Sequence, residues 1–312
     1  MLELHGCHIS EPYWSTSQYL HLPQNLQLLG YSSAPKPQIR RNPPRRASFT
    51  SLYTVGDLLG EGGYGAVYEG KRKEDNQKVA IKFVPKHTMD CYLKLPGTSS
   101  SLPVEVALMQ MVSEPPTCEY VLELIEWFEQ PNKFILILER PDPCMDLFDY
   151  TEQLGGRMDE GLAREIMQQV VLAVLHCRDR GVLHRDIKVE NLLLKTDTLK
   201  VKLIDFGCGD LLKDKVYKEF AGTAEFYPPE WVLDGSYQGR KATIWSLGVL
   251  LFNLVCGKLP FKREDDIVAG RLYFRQGLSK SSRDLIRWCL TPNPTDRPDL
   301  EQILQHDWFS EV

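Results

Sequence analysis

The sequence predicts an α+β chain of two unequal lobes, a small, mainly antiparallel sheet with one main helix followed by a larger helical body. Three observations carry this. Between residues 53 and 138, short runs rich in β-branched and aromatic residues alternate with turn residues. Pro141 and Pro143 then interrupt the pattern. Beyond them, apolar residues recur at helical spacing over long stretches.

Taken in order, residues 53–59, 66–71 and 78–84 read as strands, 102–112 as a helix, and 121–128 and 134–138 as two further strands. Helices are expected at 145–154, 160–180, 243–256, 280–290 and 300–308, with short strands at 192–194 and 200–204. No internal repeat is visible. The expected organisation is a small lobe over 51–138, a hinge over 139–143 and a large lobe over 144–312, and the cleft between lobes is a natural ligand site. Residues 1–50, rich in Ser, Pro, Gln and Asn without periodicity, read as a disordered basic tail.

Of the 312 residues, 43% are hydrophobic and 25% charged, an ordinary globular balance. The net charge of -5 argues against a general attraction to nucleic acid or anionic lipid. It is unevenly spread. Lys36, Arg40, Arg41, Arg45 and Arg46 against Glu3 and Glu11 give the tail +3, leaving -8 on the rest. Eight cysteines include no C-x-x-C pair, so neither a zinc cluster nor a thioredoxin-like site is indicated, and reduced thiols are expected. No secretory leader is evident, and the apolar run 245–256 is too short to span a membrane.

The chemistry lies in four spaced motifs. Gly60-Glu61-Gly62-Gly63-Tyr64-Gly65-Ala66-Val67 places Gly60, Gly62 and Gly65 where a backbone could approach phosphates without a Cβ in the way. A dinucleotide-binding oxidoreductase would need a helix after the third glycine, whereas a strand continues here. Lys82, alone in the apolar run Val79-Ala80-Ile81-Lys82, needs a carboxylate partner. Glu105 on the following helix is the candidate, and the pair would aim Lys82 at the α- and β-phosphates of a nucleotide. In His184-Arg185-Asp186-Ile187-Lys188-Val189-Glu190-Asn191, Asp186 can accept the proton of an attacking hydroxyl. Lys188 can neutralise a transferring phosphoryl group, and Asn191 can ligate a metal through its carbonyl. Asp205, opening Asp205-Phe206-Gly207, supplies a second hard oxygen ligand suited to Mg²⁺.

In this order and spacing the motifs resemble the eukaryotic protein kinase domain, over roughly residues 53–309. Within that superfamily the chain looks like the Pim serine/threonine kinases, on Leu138-Glu139-Arg140-Pro141-Asp142-Pro143, Asp146-Leu147-Phe148-Asp149-Tyr150, Gly222-Thr223, Tyr227-Pro228-Pro229-Glu230-Trp231 and Trp245-Ser246-Leu247-Gly248. The resemblance implies a bilobal kinase fold and ATP with Mg²⁺ as cofactors. It implies phosphoryl transfer to Ser/Thr of protein substrates with arginine-rich flanks, by a monomer that is cytoplasmic, with the nucleus also open to it.

It also implies residue roles. Leu59, Val67, Ala80 and Leu193 would wall the adenine pocket, with Leu138 as gatekeeper and the Glu139 carbonyl as acceptor, since Pro141 lacks an N–H. Lys188 and Thr223 would mark serine/threonine specificity. Asp146, Asp149 and Glu190 would receive substrate arginines, although Val189 replaces a family acid and Lys258, Lys262 and Arg263 add opposing charge. Glu219 would stand in for an activating phosphate opposite Arg185. Thr243 occupies the place of an aspartate that most kinases carry, Cys208 reads as an inert small residue with a reactive thiol near the nucleotide as the alternative, and Arg297 would pair with Glu230. The segment Arg45-Arg46-Ala47-Ser48 reads by default as solvated tail, with a basophilic phosphorylation site as the alternative. A pseudokinase scaffold is the alternative. It predicts loss of Lys82, Asp186, Asn191 or Asp205, and all four are present. A purely non-enzymatic interaction module would leave these spaced groups unexplained.

Overall fold

The computed structural model describes residues 48–62, 65–86, 92–94 and 101–310. The expectations for residues 1–47, and for Gly63 and Tyr64 in the glycine loop, lie outside the described residues. The described residues open with a one-turn helix, α1 (Phe49–Leu52), which leads into strands β1 (Tyr53–Gly62), β2 (Gly65–Arg72) and β3 (Lys78–Pro85). A short pair, β4 (Tyr92–Lys94) and β5 (Ser101–Pro103), precedes helix α2 (Val104–Ser113), and β6 (Leu124–Glu129) and β7 (Lys133–Glu139) complete the lobe. The five long strands form one sheet in the order β1-β2-β3-β7-β6, antiparallel throughout.

Alternation along β3 sorts the sheet into two faces. Register pairs Val67 with Lys82 and Ala80 with Leu138, so these four share one face. Val79, Ile81, Ile135 and Ile137 point the other way, into a cluster with Phe49, Tyr53 and Phe128. Phe49 is therefore part of the sheet's outer core. Helix α2 starts two residues later than the apolar pattern suggested. Pro103 sits at its N-cap in extended geometry, and Ser101–Pro103 pair with β4 instead.

The large lobe opens with β8 (Cys144–Asp146) and α3 (Leu147–Gln153), capped by the Asp146 carboxylate accepting from the Asp149 N–H. Then follow α4 (Glu160–Asp179), β9 (Val182–Leu183), β10 (Leu192–Lys195), β11 (Lys200–Leu203) and β12 (Asp210–Leu211). Helices α5 (Pro229–Asp234), α6 (Gly239–Cys256), α7 (Glu264–Ala269), α8 (Lys280–Cys289) and α9 (Leu300–Leu304) complete it. β10 is central in a three-stranded sheet with β11 and β8, while β9 pairs with β12. These small sheets hold the loops that carry the spaced acids.

Helix α6 is buried on nearly every side, which explains its almost uniformly apolar sequence. It begins four residues before the expected start. α5 and α7, six residues each, were not expected. The 300–308 segment is α9 followed by a separate 3₁₀ turn at Asp307–Phe309. The predicted Arg297–Glu230 pair is present and bidentate, at 2.9 and 2.6 Å. The remaining guanidinium hydrogens go to the carbonyls of Thr291, Lys241 and Pro292, and Trp245 lies under the cation at 4.9 Å. A fully buried charge is tolerated because every donor is satisfied.

Candidate active site

β3 delivers Lys82 to the face of the sheet that looks toward the large lobe. Its ammonium donates to Glu105 Oε1 at 2.6 Å, on α2, and to Asp205 Oδ1 at 3.1 Å, just beyond β11. Burial alone would lower the Lys82 pKa, but the charges of Glu105 and Asp205 outweigh it and hold the lysine above its ordinary value. Burial likewise pushes Asp205 up, and Lys82 together with the Gly207 N–H brings it below the ordinary carboxylate range. Lys82 is thus a fixed cation tying the lobes together, with Asp205 ionised beside it. The second oxygen of Glu105 is buried with no hydrogen-bond partner among the described residues, so the glutamate is turned to the lysine.

The 3₁₀ turn Val189–Asn191 and strand β10 fold the next group back on itself. Asn191 Nδ2 donates to the Asp186 carbonyl at 2.7 Å and to Asp186 Oδ2 at 2.8 Å. With both amide hydrogens used, the Asn191 side-chain oxygen remains as an acceptor. Asp186 Oδ1 accepts from the Thr223 N–H at 2.9 Å and the Thr223 hydroxyl at 2.7 Å. Lys188 Nζ lies 3.2 Å from Asp186 Oδ2 and donates to Thr223 Oγ1 at 2.7 Å. Asp186, Lys188, Asn191 and Thr223 therefore form one hydrogen-bonded group.

Backbone strain marks the same place. Arg185 has φ 70° and Asp205 φ 61°, values uncommon for residues with side chains. His184 fixes the loop between them. Its Nε2 lies 2.9 Å from the Ile204 carbonyl, its Nδ1 accepts from the Asp186 N–H at 3.3 Å, and its ring packs edge-on against Phe206 at 4.8 Å. Burial lowers the His184 pKa, consistent with a neutral ring that both donates and accepts.

A family model for the protein kinase domain matches residues 53–309. The serine/threonine-protein kinase pim-2 of Danio rerio is 44% identical over 268 residues, covering 84% of this chain and 86% of that protein. The chain belongs to the Pim-like serine/threonine protein kinases. The serine/threonine-protein kinase prk-2 of Caenorhabditis elegans is 38% identical over 85% of this chain and 60% of its own length. The CBL-interacting serine/threonine-protein kinase 13 of Arabidopsis thaliana is 31% identical over 89% of this chain and 55% of its own length.

Members of the kinase family use ATP and Mg²⁺, and the donor set here fits both. A Cβ added at Gly60 or Gly62 would meet nothing within 4 Å among the described residues, so their packing does not demand glycine there. That open space suits the close approach of a phosphate chain. Asn191 and Asp205 offer hard oxygens, with Lys82 aligned on the same carboxylate. Val67, Ala80 and Leu138 share the Lys82 face, Leu138 being 5% exposed. Leu193 pairs in register with Asp146. Leu59 lies at a register irregularity of β1 and is 48% exposed.

The Pim-like hinge has a feature the motifs did not reveal. Glu139 pairs with Lys202 at 2.7 Å, Arg140 with Glu69 and Asp142 with Lys78, so consecutive hinge charges are tied to both lobes. The alternating signs in Glu139-Arg140-Pro141-Asp142 were the available signal. Among the proposed substrate acids, Asp149 and Glu190 are exposed, whereas Asp146 is partly spent as a helix cap.

One expectation is overturned. Arg185 does not pair with Glu219, which is exposed. It donates to the carbonyls of Cys208 at 2.6 Å and Gly209 at 2.9 Å, and the acid facing it is Asp210 at 4.0 Å. The reason is topological. β12 pairs Asp210 with Leu183, immediately before the catalytic loop, while Glu219 lies farther along the activation segment. Thr243 donates to the Gly239 carbonyl of its own helix at 2.9 Å.

Proposed function

We propose that this kinase transfers the γ-phosphoryl group of Mg²⁺-ATP to Ser/Thr hydroxyls flanked by arginines, without prior phosphorylation of its activation segment. The observation that carries the reading is the Thr223 hydroxyl, 2.7 Å from both Asp186 Oδ1 and Lys188 Nζ. It is an aliphatic hydroxyl already held between a proton acceptor and a cation, the environment an incoming serine or threonine requires.

Mg²⁺-ATP supplies the phosphoryl group and the charge neutralisation of its own phosphates. In this reading Asp186 orients the attacking hydroxyl and takes its proton. Lys188 stabilises the negative charge that builds on the transferred group. Lys82, kept charged by Glu105, positions the nucleotide, and Asn191 and Asp205 hold the metal. Leu59, Val67, Ala80, Leu138 and Leu193 enclose the base, with the Glu139 backbone as its polar contact. Asp149 and Glu190 favour arginine on the peptide, while Lys258, Lys262 and Arg263 moderate that preference. Arg185, already engaged by two carbonyls, supports activity without a phosphate.

Phosphorylation of a degenerate peptide library by the purified, phosphatase-treated chain tests the reading, with Asp186→Asn as control. Transfer to Ser and Thr next to arginine is expected. No transfer, or transfer equal to that of the control, would overturn it.

A further inference from the structure

The segment from Asp210 to Thr223 is fixed at both ends. Its start pairs with β9, and Arg185 holds the carbonyls just before it. Its end is held by Asp186 and Lys188 through Thr223. Gly222, at φ +115°, passes so close to the catalytic loop that a Cβ there would lie 2.6 Å from the Arg185 carbonyl oxygen. A stretch of this length tethered only at its ends would still sample many conformations.

The middle is gripped by aromatic rings. Tyr217 and Tyr237 exchange two backbone hydrogen bonds, at 2.8 and 3.1 Å, and their rings stack at 5.2 Å with 16° between planes. The Tyr217 hydroxyl donates to the Leu211 carbonyl at 2.7 Å and accepts from the Lys213 N–H at 2.9 Å. Phe220 packs on Tyr237 at 5.1 Å, on Tyr227 at 4.4 Å and on Trp231 at 5.5 Å. Tyr237 is thus the ring that touches both Tyr217 and Phe220. It is 3% exposed and stands two residues before the buried helix α6. Gly239 leaves room for the grip, since a Cβ there would lie 2.9 Å from the Tyr217 ring. Burial holds both phenols above their ordinary pKa, so neither ring is charged in the neutral range.

We infer that Tyr237 is a positioning residue for phosphoryl transfer, acting through Tyr217 and Phe220 to hold the activation segment where an acquired phosphate would otherwise be needed. The inference rests on the proposed activity without prior phosphorylation and names what makes it possible. The device is built mainly on stacked and edge-on rings, with the Tyr237 hydroxyl adding a bond to the Glu219 carbonyl at 3.3 Å, while Arg185 donates to the Cys208 and Gly209 carbonyls. A small cavity already borders Arg185, Ile187, Phe220, Tyr237 and Thr243. Removing the Tyr237 ring would enlarge it and free Phe220 to swing inward, carrying Gly222 and Thr223 off the Asp186 carboxylate.

The test compares dephosphorylated wild type, Tyr237→Ala and Tyr237→Phe at a temperature where circular dichroism shows all three folded. The Ala variant is expected to lose about ten- to a hundredfold in kcat, while its KM for ATP changes less than about twofold. The Phe variant, which keeps the stack, should restore kcat. A merely structural tyrosine would lower the melting temperature and leave kcat intact in the folded protein. Tyr237→Leu, which keeps apolar bulk without a ring, carries the same expectation if the Ala variant does not fold. Unimpaired kcat in the Ala or Leu variant overturns the inference and leaves the proposed activity standing. An inactive dephosphorylated wild type overturns the proposed activity and the inference with it.

Discussion

At the scale of single residues, the site is built from groups that each serve two neighbours. Lys82 joins Glu105 to Asp205, so replacing it acts on stability as well as on catalysis. Lys82→Met would leave Glu105 buried, 2% exposed, with neither oxygen partnered. A loss of about 3–5 kcal/mol of stability near neutral pH is expected, together with loss of activity, because an uncompensated carboxylate would remain in the interior. Urea denaturation can check this. The double variant with Glu105→Gln should recover part of the stability and none of the activity, whereas equal stability of both variants would show that the pair carries little strain. Gly222→Ala isolates geometry from charge. Its backbone conformation strains any side chain, and its Cβ would collide with the Arg185 carbonyl. The expected result is a fall in kcat of about tenfold or more with nucleotide affinity retained, measurable by steady-state kinetics against equilibrium ATP binding.

At the scale of elements, the sheet covers one face with the catalytic cleft and the other with α1. Phe49 is the hub of that outer face, stacking with Tyr53 at 6.0 Å and meeting Phe83 and Phe128 edge-on at 5.9 and 5.7 Å. Phe49→Ala should cost about 3–5 kcal/mol, the usual range for a buried ring. Its kcat should stay near wild type below the melting transition, because the ring is on the face opposite Lys82. A matching fall in kcat at low temperature would show instead that α1 communicates with the cleft. This element also marks where sequence reading stops. The strands from Tyr53 onward and the long helix α4 were legible because period-two and period-3.6 patterns repeat over enough residues to be distinctive. One turn of helix has no period to read, and α5 and α7 are only slightly longer. The spaced acids and Lys82 were legible because their chemistry requires particular residue types at particular separations. The pairing of Arg185 was not, because backbone carbonyls of Cys208 and Gly209 leave no trace in side-chain identity. Nor were the stacked Tyr217 and Tyr237, which come together only when the loop before α6 folds against the activation segment.

At the scale of the whole molecule, two buried histidines are held neutral, one between the lobes and one inside the large lobe. His176 on α4 has its Nε2 2.8 Å from the Val112 carbonyl on α2, and His184 bonds the Ile204 carbonyl. Burial lowers the pKa of both from the ordinary value of 6.5, while the backbone carbonyls work in the opposite direction. For His176 the nearby charges of Arg180 and Asp179 oppose each other. Both rings therefore refuse a proton that the unfolded chain accepts. A base with a depressed folded pKa contributes stability that is fully present above its unfolded value and declines as pH falls below it. Between about pH 6.5 and the lower folded value, each histidine should cost up to ~1.4 kcal/mol per pH unit. Paired carboxylates such as Asp205 respond in a more acidic window, near and below the ordinary carboxylate value of 3.8. His176→Gln separates the two contributions. Glutamine can still donate to the Val112 carbonyl but does not titrate. Urea midpoints measured from pH 7.5 to 5.5 should fall less steeply for the variant than for the wild type, with the curves converging toward pH 7.5 apart from a constant offset. Parallel curves over the whole range would mean that His176 takes up its proton in the folded state as readily as in the unfolded chain, and that the interlobe contact yields to it.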